Sequence, residues 1–459
     1  MKKSFALAFL LGATIAVGQS KDNALSDEET LKEIYTTALV KNQGYKWLEE
    51  LTEMGPRLTG SDNATKAVYH FQKIADSLGF KTFLQPVTVP QWVRGEAEEA
   101  NYKTTEGKIV LNPCALGGSI ATPKNGLTAP LFEITSFEQL DTLTTELEGK
   151  IAFYNISMNP AFINTFFAYS SSATQRYVGA LEASKKGAVG VVIRSLSATI
   201  NDFPHTGSMT YKGADVKIPA MAISTLDAEQ LSTNLNTDPS LEFFMKMNCE
   251  SKDSVISYNL VAEIKGSEKP EEVIVLGGHI DSWDLGTGAH DDGAGCVHSL
   301  EAIWLLKQMD LLPKRTVRVV FFMNEEFGLN GAKVYAKESK EDNVNHVIAI
   351  ESDAGGFSPR GISVVAPDSL VARVREFRSL FEPYGLHQFT ETGSGADISQ
   401  LYSKDLVMLG LRPDNHRYFD IHHSAADVIE SVSPRELEMG SATLAAFIYL
   451  LDKYDVIAK

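Results

Sequence analysis

Residues 279–295 read HIDSWDLGTGAHDDGAG and gather two histidines and four aspartates among six glycines and alanines. Imidazole and carboxylate are the side chains that hold divalent cations, and the small residues between them supply no apolar bulk for a core. Three later segments carry the same chemistry: NEE at 324–326, ESD at 351–353 and DIHHSAAD at 420–427. The first three clusters each end a near-continuous apolar run (EEVIVLGGHID, RTVRVVFFMNEE, NHVIAIESDAGG). Such runs predict parallel strands covered on both faces, and open α/β sheets collect ligands at the carboxyl ends of their strands. His279, Asp281, Glu325, Glu326 and Asp353 are therefore expected along one sheet edge, joined by Asp291 or Asp292 and by His422 or His423.

That set suits a pair of zinc ions about 3.5 Å apart, which polarise a carbonyl and activate water. The pair needs mixed imidazole and carboxylate ligands, one carboxylate between the metals, and a general base that is not a ligand. Glu325 and Glu326 can divide ligand and base between them, because adjacent side chains at a strand end point to opposite sides. Each signal alone is compatible with a purely structural role. A single histidine at a strand end is usually structural, a Glu pair is usually a solvated exit, and GAHDDGAG could simply cap a helix. Only their joint occurrence at successive strand ends carries the inference.

The elements that must position these groups follow from periodicity. Residues 27–78 read as helices broken by the turn-rich GPRLTGS (55–61), and the segment from Phe80 alternates like strands. A different texture occupies 114–250, where GKIAFYNI, GAVGVVIRS and KIPAMAIS read as buried strands around the helical SSATQRYVGALEASKKG. This stretch is expected to be a self-contained insert. The chain then alternates strand and helix, with Val297, Leu300 and Trp304 on one helix face. An α/β sandwich split by an insert results. At 459 residues the chain is long enough for two or three domains. A net charge of −17 argues against nucleic acid or an anionic membrane as main partner. Lys2 and Lys3 followed by an apolar run to Val17 predict an export signal over 1–19, too short for a membrane span. Of three cysteines, Cys114 and Cys249 could pair in an oxidising compartment, and Cys296 reads as a small buried helix residue.

The segments GPRLTGS, GGHIDSWDLGTGAHDDGAG, NEEFGLNGA, ESDAGG and YFDIHHSAAD together resemble the di-zinc aminopeptidase and carboxypeptidase family, in which the site order is His, Asp, Glu-Glu, Asp, His. The resemblance implies a three-layer α/β/α zinc-exopeptidase domain (phosphorylase/hydrolase-like) with a mostly parallel central sheet. It implies a protease-associated insert at 114–250 between peptidase parts at 20–113 and 251–459. It also implies two zinc ions per chain, small peptides as substrate and a homodimer. Carried over position by position, His279 binds one zinc, Asp291 bridges both, Glu326 binds one zinc and Asp353 the other, and His423 is the last ligand. Glu325 is then the base, and Asp281 orients His279. His423 is preferred to His422 because the family ligand directly precedes a Ser or Thr, and Asp291 to Asp292 by its spacing to the following GAG. His205, Asp397 and Arg57 are weaker candidates for substrate contact, each with a turn, a helix cap or an ion pair as its alternative. The expected activity is hydrolysis of dipeptides or short peptides with a free N-terminus by an exported enzyme. The alternatives are a general aminopeptidase on longer peptides, a cyclase, or a binding protein on the same fold that has lost its metals.

Overall fold

The computed structural model describes residues 25–457. The expected export signal at 1–19 lies outside the described residues. Seven strands form the first sheet: β1 (Lys81–Val93), β2 (Glu250–Ile264), β3 (Lys269–His279), β4 (Arg315–Phe322), β5 (Asn345–Glu351), β6 (Pro359–Val365) and β7 (Val407–Pro413). Their order is β1-β2-β4-β3-β5-β7-β6. The inner strands β4, β3, β5 and β7 run parallel, whereas β1, β2 and β6 pair antiparallel. The expectation of a mostly parallel sheet is thus corrected: parallel pairing is confined to the four strands whose apolar runs are buried on both faces, and the flanks are antiparallel.

The alternation within those runs decides which helices cover each face. Ile274, Leu276, Val317, Val319, Phe321, Ile348 and Ile350 pack with α1 (Asp27–Lys41), α2 (Gln43–Glu53), α3 (Asp62–Ser77), α4 (Ala294–Gln308) and α6 (Pro434–Lys453). The intervening Val273, Val275, Val320, Phe322 and Ala349 pack with Ala332 and Tyr335 of α5 (Asn330–Glu341). Helix α4 is buried around its whole circumference from Ala294 to Leu306, not only on the Val297, Leu300 and Trp304 face. Its small first turn permits that, because Gly295 lies against the Ser352 carbonyl.

A second, eight-stranded sheet lies between β1 and β2 in sequence. It begins earlier than Cys114: the hairpin of Glu98–Thr104 and Gly107–Leu111 belongs to it, because Glu98–Thr104 pairs with Glu242–Met247. The stretch read as one helix, 171–187, divides into Thr174–Tyr177 and Gly179–Lys185, after the end of a helix Thr165–Ser172 that begins before it. Cys114 and Cys249 are separate buried thiols in different apolar clusters, and Cys249 donates to the Ser119 carbonyl at 3.2 Å. Cys296 is buried in α4, as read from the sequence, and donates to the His279 carbonyl at 3.2 Å.

The two sheets meet at the loop after β3. Arg94 donates from Nε to Asp284 Oδ1 and Oδ2 at 3.0 and 2.9 Å, and from Nη1 to the Ala115 carbonyl at 2.8 Å. Its Nη2 reaches Thr206 Oγ1 at 3.2 Å. One buried cation therefore ties the end of β1, the β3 loop and the second sheet together. Beside it Trp283 lies over Gly117, where a Cβ would collide with the indole. Gly117→Ala should therefore push the two units apart and cost about 1–3 kcal/mol. Urea denaturation monitored by tryptophan fluorescence checks this, and a midpoint equal to wild type would refute the close packing.

Candidate metal centre

The functional groups stand at the carboxyl ends of the four parallel strands. His279 is the last residue of β3, and Asp291 follows on the loop 289–293. Glu325 and Glu326 follow β4, Asp353 follows β5, and His423 follows a short helix, Tyr418–Ile421, after β7. Asp291 is the hub. Its Oδ1 lies 3.2 Å from His279 Nε2, and its Oδ2 lies 3.2 Å from His423 Nε2. Asp353 Oδ1 stands 3.7 Å from His279 Nε2, and Glu326 Oε2 stands 3.2 Å from His423 Nε2. Two nests of one imidazole and two carboxylate oxygens thus share a single carboxylate.

The neighbours of each group are specific. Asp427 accepts the backbone N–H of His290 at 2.7 Å and of Asp291 at 3.1 Å, so it holds the hub from behind. Asp292 stands close to His279 and Asp353, with ligand atoms of the three within 4.8 Å of one another, but its two oxygens accept from His279 N at 3.0 Å and Gly295 N at 2.9 Å. Those bonds account for the second aspartate of HDD as a brace. His279 Nδ1 donates to the Asp281 carbonyl at 2.9 Å, fixing the tautomer that leaves Nε2 available. The Asp281 carboxylate is 3.9 Å from that ring. It accepts instead from Asn324 N at 2.7 Å, from Glu325 N at 3.2 Å and from the Thr59 hydroxyl. The expected carboxylate clamp on His279 is therefore corrected, since Asp281 grips the Glu-Glu turn. Glu325 and Glu326 sit in a turn and not at an extended strand end, with Asn324 at φ 73° and Gly328 N donating to the Glu325 carbonyl at 3.1 Å. That turn, and not strand alternation, separates the two side chains.

Trp283 donates from Nε1 to Glu326 Oε2 at 2.6 Å. The second sheet holds His423 in the same way: Nδ1 donates to the Thr206 carbonyl at 3.3 Å, and Thr206 N donates to the His423 carbonyl at 3.0 Å. His422 stacks on His423 with ring centroids 3.5 Å apart and lies 3.5 Å from Asp291 Oδ2. Only His423 reaches both Asp291 and Glu326 while its other nitrogen is anchored.

The charges need cations. Burial raises the carboxyls of Glu325 and Glu326, which His279 and His423 respectively lower again, and the neighbouring carboxylates add to the rise. Burial opposes ionisation of Asp291, but His279 and His423 hold it well below the usual carboxylate range. Burial would lower His423, yet Glu326 and Asp291 push it up to about 9. Asp291 Oδ2 and Glu326 Oε1 are buried without a hydrogen-bond donor. Nitrogen and oxygen donors, a shared carboxylate and donorless buried oxygens fit a pair of divalent ions. A cleft of about 250 Å³ opens on the group, lined by Asp291, Glu325, Glu326, Asp353, His422 and His423. Phe166, Tyr169 and Ser208 of the second sheet's unit, with Tyr418 and Phe419, form its other wall.

The profile of Peptidase family M28 matches residues 259–448. Carboxypeptidase Q of Homo sapiens is 35% identical over 436 residues, covering 94% of this chain and 90% of that protein. The chain belongs to peptidase family M28. It is a metallopeptidase, a hydrolase. An M28 precursor from Shewanella amazonensis SB2B, solved by crystallography, superposes with a TM-score of 0.87 at 35% identity, over 93% of this chain and 96% of that one. A zinc aminopeptidase from Bacillus subtilis shares the fold at 21% identity, with a TM-score of 0.63 over 89% and 94%.

The weaker candidates of the M28 chain separate. Arg57 is wholly buried and donates to the carbonyls of Ile280 at 2.8 Å, Thr287 at 2.5 Å and Gly288 at 2.8 Å. It clamps the loop leading to Asp291 and does not face the cleft, which corrects the substrate role expected for it. His205 lies under the His422–His423 pair, and burial together with the neighbouring His423 holds it neutral, down to about 3. It lines no part of the cleft, where Ser208 stands instead. Asp397 is buried with both carboxylate oxygens unpartnered, beside Glu351, His279 and Asp353. Trp283 and Asp427 lie within stretches already notable in the sequence, and Thr206 directly follows the candidate His205, whereas nothing there marks Arg176. Arg57→Met should cost about 3 kcal/mol or more through three abandoned carbonyls. The measurement is urea unfolding beside peptidase kinetics, and unchanged stability with a raised KM would restore the substrate role.

Proposed function

We propose that this M28 chain is a di-zinc exopeptidase that hydrolyses dipeptides or short peptides with a free N-terminus. The observation that carries the reading is the Asp291 carboxylate, one oxygen 3.2 Å from His279 Nε2 and the other 3.2 Å from His423 Nε2. His279, Asp353 and Asp291 Oδ1 would hold one zinc; Glu326, His423 and Asp291 Oδ2 would hold the other. The bound pair would supply Lewis acidity, polarising the scissile carbonyl and acidifying water. Glu325 opens on the cleft and is outside both nests. It takes the proton of the attacking water and delivers it to the leaving amine. Asp281, by holding Asn324 N and Glu325 N, keeps that carboxyl aimed. Asp397, a buried carboxylate without donors, receives the substrate ammonium. The helices on both faces of the first sheet support a three-layer peptidase domain, and the second sheet, with strands from Glu98 to Met247, is read as the protease-associated insert. Export and a homodimer complete the reading. Among the described residues, no helix is long and apolar enough to cross a membrane.

Metal content measured together with a peptide panel tests this. Two zinc ions per chain and chelator-sensitive cleavage of free dipeptides are expected. Efficient cleavage of longer peptides would point to a general aminopeptidase, and no metal with no cleavage would point to a binding protein. Glu325→Gln should keep both ions and lower kcat about 10²- to 10⁴-fold; near-normal turnover would remove Glu325 from the mechanism. His423→Ala should lose one ion by elemental analysis while His422→Ala retains two. Equal loss from both would overturn the choice between them.

A further inference from the structure

The cleft has one guanidinium in its lining, and the peptidase sheet does not supply it. Arg176 lies in the short helix Thr174–Tyr177 of the second unit and shares the lining with the four carboxylates of Asp291, Glu325, Glu326 and Asp353. Its guanidinium carbon lies 5.3 Å over the Tyr169 ring, and its Nη1 lies 3.3 Å from His423 Nδ1. Among the described residues no carboxylate stands within 4.0 Å of it, and its buried Nε has no hydrogen-bond partner. A half-buried guanidinium in an acidic cleft would ordinarily collapse onto a carboxylate, and this one is kept from doing so. The second unit also makes room for it. Gly207 has φ 138°, and a Cβ there would come within 2.5 Å of the guanidinium.

The placement gives the cleft a direction. Asp397, with both oxygens unpartnered, lies beside Asp353 and His279, at the nest formed by those two residues and Asp291. Arg176 lies beyond the other nest, on the Nδ1 side of His423, whereas Glu326 and Asp291 meet its Nε2. A full imidazole ring thus separates the guanidinium from the atoms facing the reaction. That distance is too great for an oxyanion at the scissile carbonyl and suits a group about one residue, ~3.5 Å, further along an extended peptide. The lining carboxylates Asp353 and Glu325 on the His279 side and the guanidinium on the His423 side, with the reacting groups between, complement a zwitterion two residues long.

We infer that Arg176 binds the free α-carboxylate of the substrate, so that the second unit makes this site select dipeptides over longer or C-terminally blocked peptides. The inference rests on the peptidase reading above. Arg176 is a specificity-determining residue here, with no part in proton transfer.

The test compares zinc-loaded wild-type enzyme, R176M and R176K on a free dipeptide and on the same dipeptide with a C-terminal amide. Zinc content is measured in each protein. Wild type is expected to favour the free acid over the amide by about 10- to 100-fold in kcat/KM, the scale of one charge-assisted pair. R176M should bring that ratio close to one through KM for the acid, with two zinc ions retained. R176K should restore part of the preference. Equal kcat/KM for acid and amide in wild type would overturn the inference while leaving the peptidase reading intact. So would an R176M defect in kcat of equal size on both substrates, or one that follows loss of zinc. Wild-type enzyme that binds zinc yet cleaves neither peptide would overturn the peptidase reading and this inference with it.

Discussion

The site turns on one carboxylate that must serve two imidazoles at once. Asp291 places an oxygen 3.2 Å from each of His279 and His423, which arrive from the end of β3 and, two strands along, from the segment after β7. A carboxylate can do this only if its plane is held, and almost everything around it serves that end. Asp427 takes its backbone N–H, Asp292 ties the following turn to β3, and Arg57 gathers the carbonyls of the preceding loop. Asp427, Asp281 and Asp292 stand around the buried guanidinium of Arg57, so the braces form one polar cluster. Six glycines and alanines in 279–295 let these partners close around the loop.

The same economy governs the two glutamates. Asp281 fixes Asn324 N and Glu325 N, and Trp283 fixes Glu326 Oε2. Both belong to the stretch that begins with His279, so the loop after β3 sets the geometry of the turn after β4. The two strands are parallel neighbours, which puts those loops side by side.

Much of this was legible in the sequence because a near-continuous apolar run ending in polar residues matches a strand buried on both faces that reaches a sheet edge, and matches little else. The ends of β3, β4 and β5, with His279, Glu325, Glu326 and Asp353, follow from that pattern alone. Reading failed where backbone direction decides. A spacing of two put Asp281 on the side of His279, yet the chain leaves the strand there and the carboxylate swings to the Asn324 turn. GPRLTGS read as a turn in which Arg57 met an acid or the substrate, whereas Arg57 is buried because loop carbonyls need donors. What Thr206 and Arg176 do was illegible for a different reason. The two residues lie 217 and 247 positions from His423 and meet it only when the two sheets dock.

That docking contact has a thermodynamic corollary. The Thr206 backbone and His423 exchange two hydrogen bonds, and one of them sets the ring nitrogen opposite the cation-facing one. Any cation gripped by His423 and any movement of the second unit therefore share a free energy, and by linkage each must alter the other by the same factor. With His423 as a ligand, as proposed, loading the site would stiffen the junction between the units, and prying the junction open would weaken the load. On that assignment the second unit would be a component of the metal centre's affinity, transmitted through the backbone of a single residue, Thr206.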